Sequence, residues 1–184
     1  MKKIALVLFC VVSMSFAANA QKFGHINSEE IISLMAERDS AILKLQAYAT
    51  ELDETLQGME SEYNAKYAEY TRKQSEWTAA IRESKEKDIQ DLIQRIQQFQ
   101  QTAQQEMQQM QQIYMAPVYE KAQNAITKIA KENGLTYVFN LAAGSLIYFD
   151  EAGSLNLLPL AKKELGIPAE KVAPTQFAQP EQQQ

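Results

Sequence analysis

Two stretches of this chain repeat apolar residues at alternating spacings of three and four, and no proline breaks either one. In the first, Ile42, Leu45, Ala49, Leu52, Leu56, Met59, Tyr63, Lys66 and Tyr70 share one stripe. In the second, Ile89, Leu92, Ile96, Phe99, Ala103, Glu106, Met110 and Ile113 do the same. A period of 3.5 sustained over several turns predicts paired helices rather than a helix buried in a globular core, because the stripe is too narrow to be covered from several sides. Between the stripes, from about Thr71 to Asp88, the periodicity lapses and charges of both signs appear. Matching Ile42 with Pro117 and Tyr70 with Ile89 puts a fold-back near Ala79 or Ala80. The expectation is an antiparallel helical hairpin whose arms, at 1.5 Å per residue, reach ~60 Å.

Composition narrows the chemistry. The chain has 184 residues with one cysteine, Cys10, and one histidine, His25. Zinc clusters, Cys/His nucleophile pairs and Ser/His/Asp triads draw on more of these residues than are present. The balance of 18 basic against 23 acidic residues gives a formal charge of −5, which disfavours nucleic acid as a partner. Phosphate-cradling glycine motifs are missing as well. An enzyme is therefore not expected, nor is a cofactor or a bound metal. Paired carboxylates such as Asp53-Glu54 and Glu29-Glu30 read as helix solvation and first-turn charges rather than as acid/base pairs.

The N-terminus has the form of an export signal. Lys2 and Lys3 precede an apolar run from Ile4 to about Val12, and Ala18-Asn19-Ala20 makes an A-x-A cleavage site before Gln21. The run is shorter than the ~20 residues needed to cross a bilayer, and no later segment is apolar enough to do so. Residues 1–20 are read as a signal peptide that directs the chain to the periplasm. The mature chain then lacks cysteine and holds its fold by burial alone.

Around the hairpin lie shorter elements. Lys22 to Ile26 reads as a strand, and Asn27 with Glu30 opens a brief helix carrying Ile31, Ile32 and Leu34, ending near Met35. Pro117 interrupts the second arm and is a candidate hinge. Helix then resumes to a stop at Asn133-Gly134. Leu135 to Leu141 and Ser145 to Phe149 read as two strands joined around Ala142-Ala143-Gly144 as a hairpin. A turn at Asp150 to Gly153 leads into a last helix, Leu155 to Leu165, with Pro159 in its first turn. The proposed division is a body from 21–36 and 117–167, a coiled-coil hairpin from 37–116, and a disordered tail from 168–184. The fold class is α+β, a long coiled-coil hairpin inserted in a small β body. One small sheet cannot cover Phe23, Ile26, Tyr137, Val138, Phe139, Leu146, Ile147, Tyr148 and Phe149, and its edges invite another strand. A homo-oligomer follows, with Phe23, Ile26, Tyr137, Phe139, Ile147 and Phe149 as its contacts.

The stretch Phe23-Gly24-His25-Ile26-Asn27-Ser28-Glu29-Glu30-Ile31-Ile32 after a signal peptide is similar to the opening of the OmpH/Skp-like periplasmic chaperones. Pro117 to Ile126 followed by Lys131-Glu132-Asn133-Gly134 resembles that family's returning helix. The likeness runs over about residues 21–167 and is carried by the order of elements. It implies a jellyfish-shaped trimer, with a β-barrel body and three helical tentacles enclosing a cavity. It also implies ATP-independent holding of unfolded outer-membrane proteins. The best-known members are basic, whereas this chain is net acidic. Within 66–87, however, six basic side chains face four acidic ones.

Candidate client contacts cluster toward the hairpin end: Tyr63, Tyr67, Tyr70, Trp77 and Ile81, with Arg72, Lys73 and Arg82. A two-helix seam cannot enclose all of these rings, and uncovered apolar surface marks interaction sites. Met59, Met107, Met110 and Met115 suit the seam, and the run from Gln94 to Gln112 reads as a neutral solvated face. His25, with no second histidine or cysteine nearby, reads as a packed or edge residue. The functional expectation is a periplasmic holdase for unfolded outer-membrane proteins, without stable membrane insertion. The alternative is a structural coiled-coil adaptor bridging envelope proteins, which would bind one folded partner and ignore unfolded chains.

Overall fold

The computed structural model describes residues 22–144 and 146–174. The expected signal peptide, 1–20, lies outside the described residues. The elements in chain order are β1 (Phe23–Ile26), α1 (Ser28–Ser33), α2 (Ala36–Lys73), α3 (Ala79–Glu132), β2 (Tyr137–Asn140), β3 (Ser154–Asn156) and α4 (Leu158–Glu164). The chain divides into two compact units, one of residues 36–119 and one of the remainder.

The 36–119 unit is the helical hairpin that the spacing predicts. Stripe residues from Leu52 to Tyr70 are half-buried, and Ile89 and Leu92 are buried against the opposite arm. The reversal occupies Gln74 to Thr78, slightly ahead of Ala79, because α2 stops at Lys73 and the Thr78 hydroxyl caps α3 by accepting from Ile81 N at 3.4 Å. Far from the turn the stripe shifts phase. Ala49 is exposed while Tyr48 turns inward, and its hydroxyl donates to Glu106 Oε2 at 2.6 Å. That bond explains a carboxylate on an otherwise apolar seam. Ile113 is likewise exposed, and Tyr114 takes the inner position with Lys44 Nζ 5.7 Å over its ring. Pro117 does not end the arm. Helix α3 runs through it, losing the one hydrogen bond that proline cannot donate.

The second unit is built on a three-stranded sheet in the order β2-β1-β3, and both pairings are parallel. This overturns the expected hairpin between 135–141 and 145–149. Strand β2 forms, but the third strand is Ser154–Asn156, and Leu146 to Asp150 belongs to no helix or strand. Ser145 lies outside the described residues. The cause is local. Asn140 is tied to α1: its Oδ1 accepts from Ser28 N at 3.1 Å and its Nδ2 donates to Ser28 Oγ at 2.8 Å. The chain therefore turns through a 3-10 segment, Leu141–Ala143, instead of doubling back. The crossover to the far edge of β1 then brings β3 in parallel. Pairing of 154–156 with β1 also delays the last helix, which starts at Leu158 rather than Leu155, with Asn156 Oδ1 accepting from Leu158 N at 2.9 Å.

Local chemistry sets the other ends. Asn27 Oδ1 accepts from the amides of Glu29 and Glu30 at 3.1 and 3.2 Å, opening α1. Helix α3 stops at a left-handed Gly134, where Leu135 N returns to Ala130 O at 2.9 Å. The core gathers Ile26, Ile31, Leu34, Ile126, Ile129, Leu157 and Ala161. Gly24 belongs beside it for want of room: a Cβ there would meet the Cδ1 atoms of Leu157 and Leu135 at 2.5 and 2.7 Å. The tail expected to be disordered is in place as far as residue 174. Lys162 Nζ donates to the carbonyls of Ala169 and Lys171 at 3.1 and 2.7 Å, and Lys171 Nζ donates to Leu34 O at 2.9 Å. These bonds hold down a segment that its composition alone would leave loose. The rest of the tail lies outside the described residues.

Candidate functional site

Toward its turn, the hairpin collects the aromatic and basic residues singled out above. Tyr70 packs on Trp77 with ring centroids 6.0 Å apart, and its hydroxyl donates to Glu86 on the opposite arm. Lys85 Nζ lies 5.8 Å from the Trp77 ring. The Glu69 carboxylate accepts from Lys73 Nζ at 3.2 Å and lies 3.9 Å from Lys85 Nζ. The Lys73 hydrogen bond first, and the Lys85 charge second, lower its pKa. The nearby phenol of Tyr70 has its pKa raised, chiefly by its bond to Glu86.

The eight proposed contacts therefore separate. Tyr70, Trp77 and Lys73 are engaged within the cluster, whereas Tyr67, Ile81, Arg72 and Arg82 are exposed. Tyr63 stacks on Tyr67 with centroids 5.9 Å apart, and it lines an open cleft of about 360 Å³ with Glu60, Asn64, Ile93, Ile96 and Gln97. Sequence reasoning missed Lys85, Glu86 and Ile93. The seam register, which sets Tyr70 opposite Ile89 and so within about one turn of residues 85 and 86, was the available signal for the first two. Ile93 showed itself only as an apolar residue one step past Leu92.

The second surface is one face of the sheet. Side chains alternate along a strand, so Phe23 and His25 point to one side and Gly24 and Ile26 to the other. Register places Tyr137 beside Phe23 and Phe139 beside His25. Phe23 lies 6.2 Å from the Tyr137 ring and 6.0 Å from that of Phe139, and His25 lies 4.8 Å from the Phe149 ring. The helical core takes the opposite face. Ile26, 2% exposed, is part of that core, so it is removed from the proposed contact set by strand parity. The other five stay together: Phe23, Tyr137, Phe139 and Phe149 line the aromatic face, and Ile147, fully exposed with Tyr148 beside it, belongs to the segment along it.

His25 stitches this face. Its Nδ1 is 2.9 Å from Ser154 Oγ, tying β1 to β3, and the residue is 7% exposed. Burial lowers its pKa, and the charge of Glu151 opposes that in part. Among the described residues no group of three or more His, Cys, Asp or Glu side chains is placed to hold a metal ion.

A family model described as "OmpH: Outer membrane protein (OmpH-like)" matches residues 22–165, a span that takes in all of the 36–119 unit and part of the other. The chain belongs to the OmpH-like family. A solved structure from Caulobacter crescentus CB15, described as an outer membrane chaperone (OmpH-like), shares the fold. Its TM-score is 0.68 at 12% identity, over 81% of this chain and 86% of that one. No curated protein matches the chain significantly. In this OmpH-like chain, then, the long hairpin and small sheet are the shared scaffold on which the two aromatic surfaces lie.

Proposed function

We propose that the protein is an ATP-independent holdase of the periplasm, which binds unfolded outer-membrane proteins and keeps them from aggregating. The observation that carries this reading is the uncovered aromatic surface in both units of an OmpH-like chain. Exposed Tyr67 and Ile81 beside Arg72 and Arg82, and the cleft walled by Tyr63, offer many weak apolar and charged contacts instead of one deep site. Each contact is near thermal energy. Confinement of one client among several copies makes the contacts act together while none traps it. Release needs no nucleotide, because a client that folds or is handed on withdraws its apolar surface.

Self-association belongs to the same proposal. Phe23, Tyr137, Phe139, Ile147 and Phe149 form the face through which copies join, as the homotrimer of the family resemblance implies, and Pro117 is the point at which α3 yields. Support for the setting comes from the family membership, from the chaperone description of the structural neighbour, and from the export-type N-terminus. No helix among the described residues is long and apolar enough to cross a membrane.

The test is light scattering of a urea-diluted outer-membrane protein with and without the purified mature chain. Suppressed scattering with a soluble complex of one client per oligomer is the expected result. Aggregation at the rate seen in buffer overturns the reading.

A further inference from the structure

The one histidine of the chain sits on the central strand of the sheet, almost without contact with water, between a serine of β3 and the ring of Phe149. Phe149 is the inner residue of an otherwise unpaired segment whose Ile147 and Tyr148 are 102% and 81% exposed. We propose that His25 is a pH-operated latch on the Leu146–Asp150 segment. Neutral, it seats the Phe149 ring and keeps the segment along the aromatic face; protonated, it lets the segment go.

The groups around the ring favour the neutral state. From β3, Ser154 Oγ bonds Nδ1 and satisfies either tautomer. From β2, the register partner is Phe139, which is uncharged. From the segment, Phe149 contributes a ring, and the neighbouring Asp150 is engaged elsewhere, its Oδ1 accepting from Ala152 N at 3.0 Å. From the turn after it, Glu151 attracts the imidazolium, and desolvation outweighs that attraction. A charge created here has only the Ser154 hydroxyl and the weaker pull of Glu151 to offset its desolvation, and it is relieved by letting water in. Movement of Phe149 is the simplest way to admit water, because no ladder bonds hold the segment. Ile147 and Tyr148 move with it, so association of copies through this face loosens in acid, a consequence that rests on the self-association proposed above.

The latch is tested apart from that consequence. A chain with one histidine gives one imidazole resonance, so the titration is read directly, together with the nuclear Overhauser effect between the His25 and Phe149 rings. Expected is a midpoint below the ordinary 6.5, with the Overhauser effect vanishing over the same range. A midpoint at or above that value, or an Overhauser effect that survives the titration, overturns the latch. His25→Gln, which keeps a partner for Ser154 but does not titrate, is expected to hold Phe149 in place at both pH values. Loosening in acid in that variant equally overturns the proposal. Sedimentation equilibrium reads the consequence: self-association weakens about tenfold or more between about pH 7.5 and about pH 5 in the natural chain, and less than about twofold in His25→Gln. A chain that is monomeric at both values refutes the self-association reading, while the Overhauser effect still decides the latch.

Discussion

The hairpin and the body bury their apolar residues in opposite ways. On the hairpin a single stripe meets a single stripe, and most seam residues remain half-exposed. In the body, strand, helix and turn converge on Leu157, Ile31 and Ala161 until each is fully buried. The first arrangement is long, repetitive and tolerant of a shifted phase, as Tyr48 and Tyr114 show. The second is short-range and unforgiving, and it leaves one sheet face without helical cover. A long two-helix seam and a converged core make different packing demands, and this chain meets them in separate places.

The contrast is sharpest in core truncations. Leu157→Ala removes a fully buried side chain among four elements and is expected to cost about 2–5 kcal/mol in urea unfolding. Leu56→Ala, on the half-exposed seam, is expected to cost about 1–2 kcal/mol. Equal costs would mean that the hairpin is packed as tightly as the body.

Next in size is Gly24→Ala. The added methyl group meets the Leu157 and Leu135 side chains, and Leu157 has no solvent side toward which to move. A loss of about 1–3 kcal/mol is expected, whereas Gly58→Ala on the hairpin, with nothing within 4 Å of the new Cβ, should stabilise α2 by about 0.5–1 kcal/mol.

A smaller effect depends on pH. Because the folded chain holds the His25 pKa below 6.5, the unfolded chain takes up the proton first as acidity rises. The contribution of His25 is therefore complete above 6.5 and is lost as the pH falls through that value toward the folded pKa. Urea midpoints over this range should slope for the natural chain and flatten in His25→Gln. Smallest of all is Tyr48→Phe. Its bond to Glu106 joins water-accessible groups, so overall stability should barely change, and amide exchange should quicken only near Tyr48 and Glu106. A global effect would show that the register of the arms hangs on that one bond.

Much of this was legible from residue types alone. Alternating threes and fours described the arms, and short polar signals marked the ends: Asn27, the left-handed Gly134, Asp150 to Gly153 and Pro159. The aromatic and basic cluster near the turn followed from position along the arms, although its internal partners Lys85 and Glu86 did not. The strands were read less well. Two apolar runs around Ala-Ala-Gly look like a hairpin, and nothing within 135–149 announces that Asn140 will bind Ser28 or that 154–156 will take the third place. Nor does the composition of 168–174 announce that Lys162 and Leu34 hold this part of the tail from afar.

Local spacing and capping chemistry thus determined the helices, because a helix satisfies its backbone within a few residues of itself. Strand order, the parallel register, the turning of Ile26 to the interior and the exposure of the aromatic face were decided only by tertiary structure. A strand finds its hydrogen-bond partners across the fold, and parity then assigns each side chain to the core or to water.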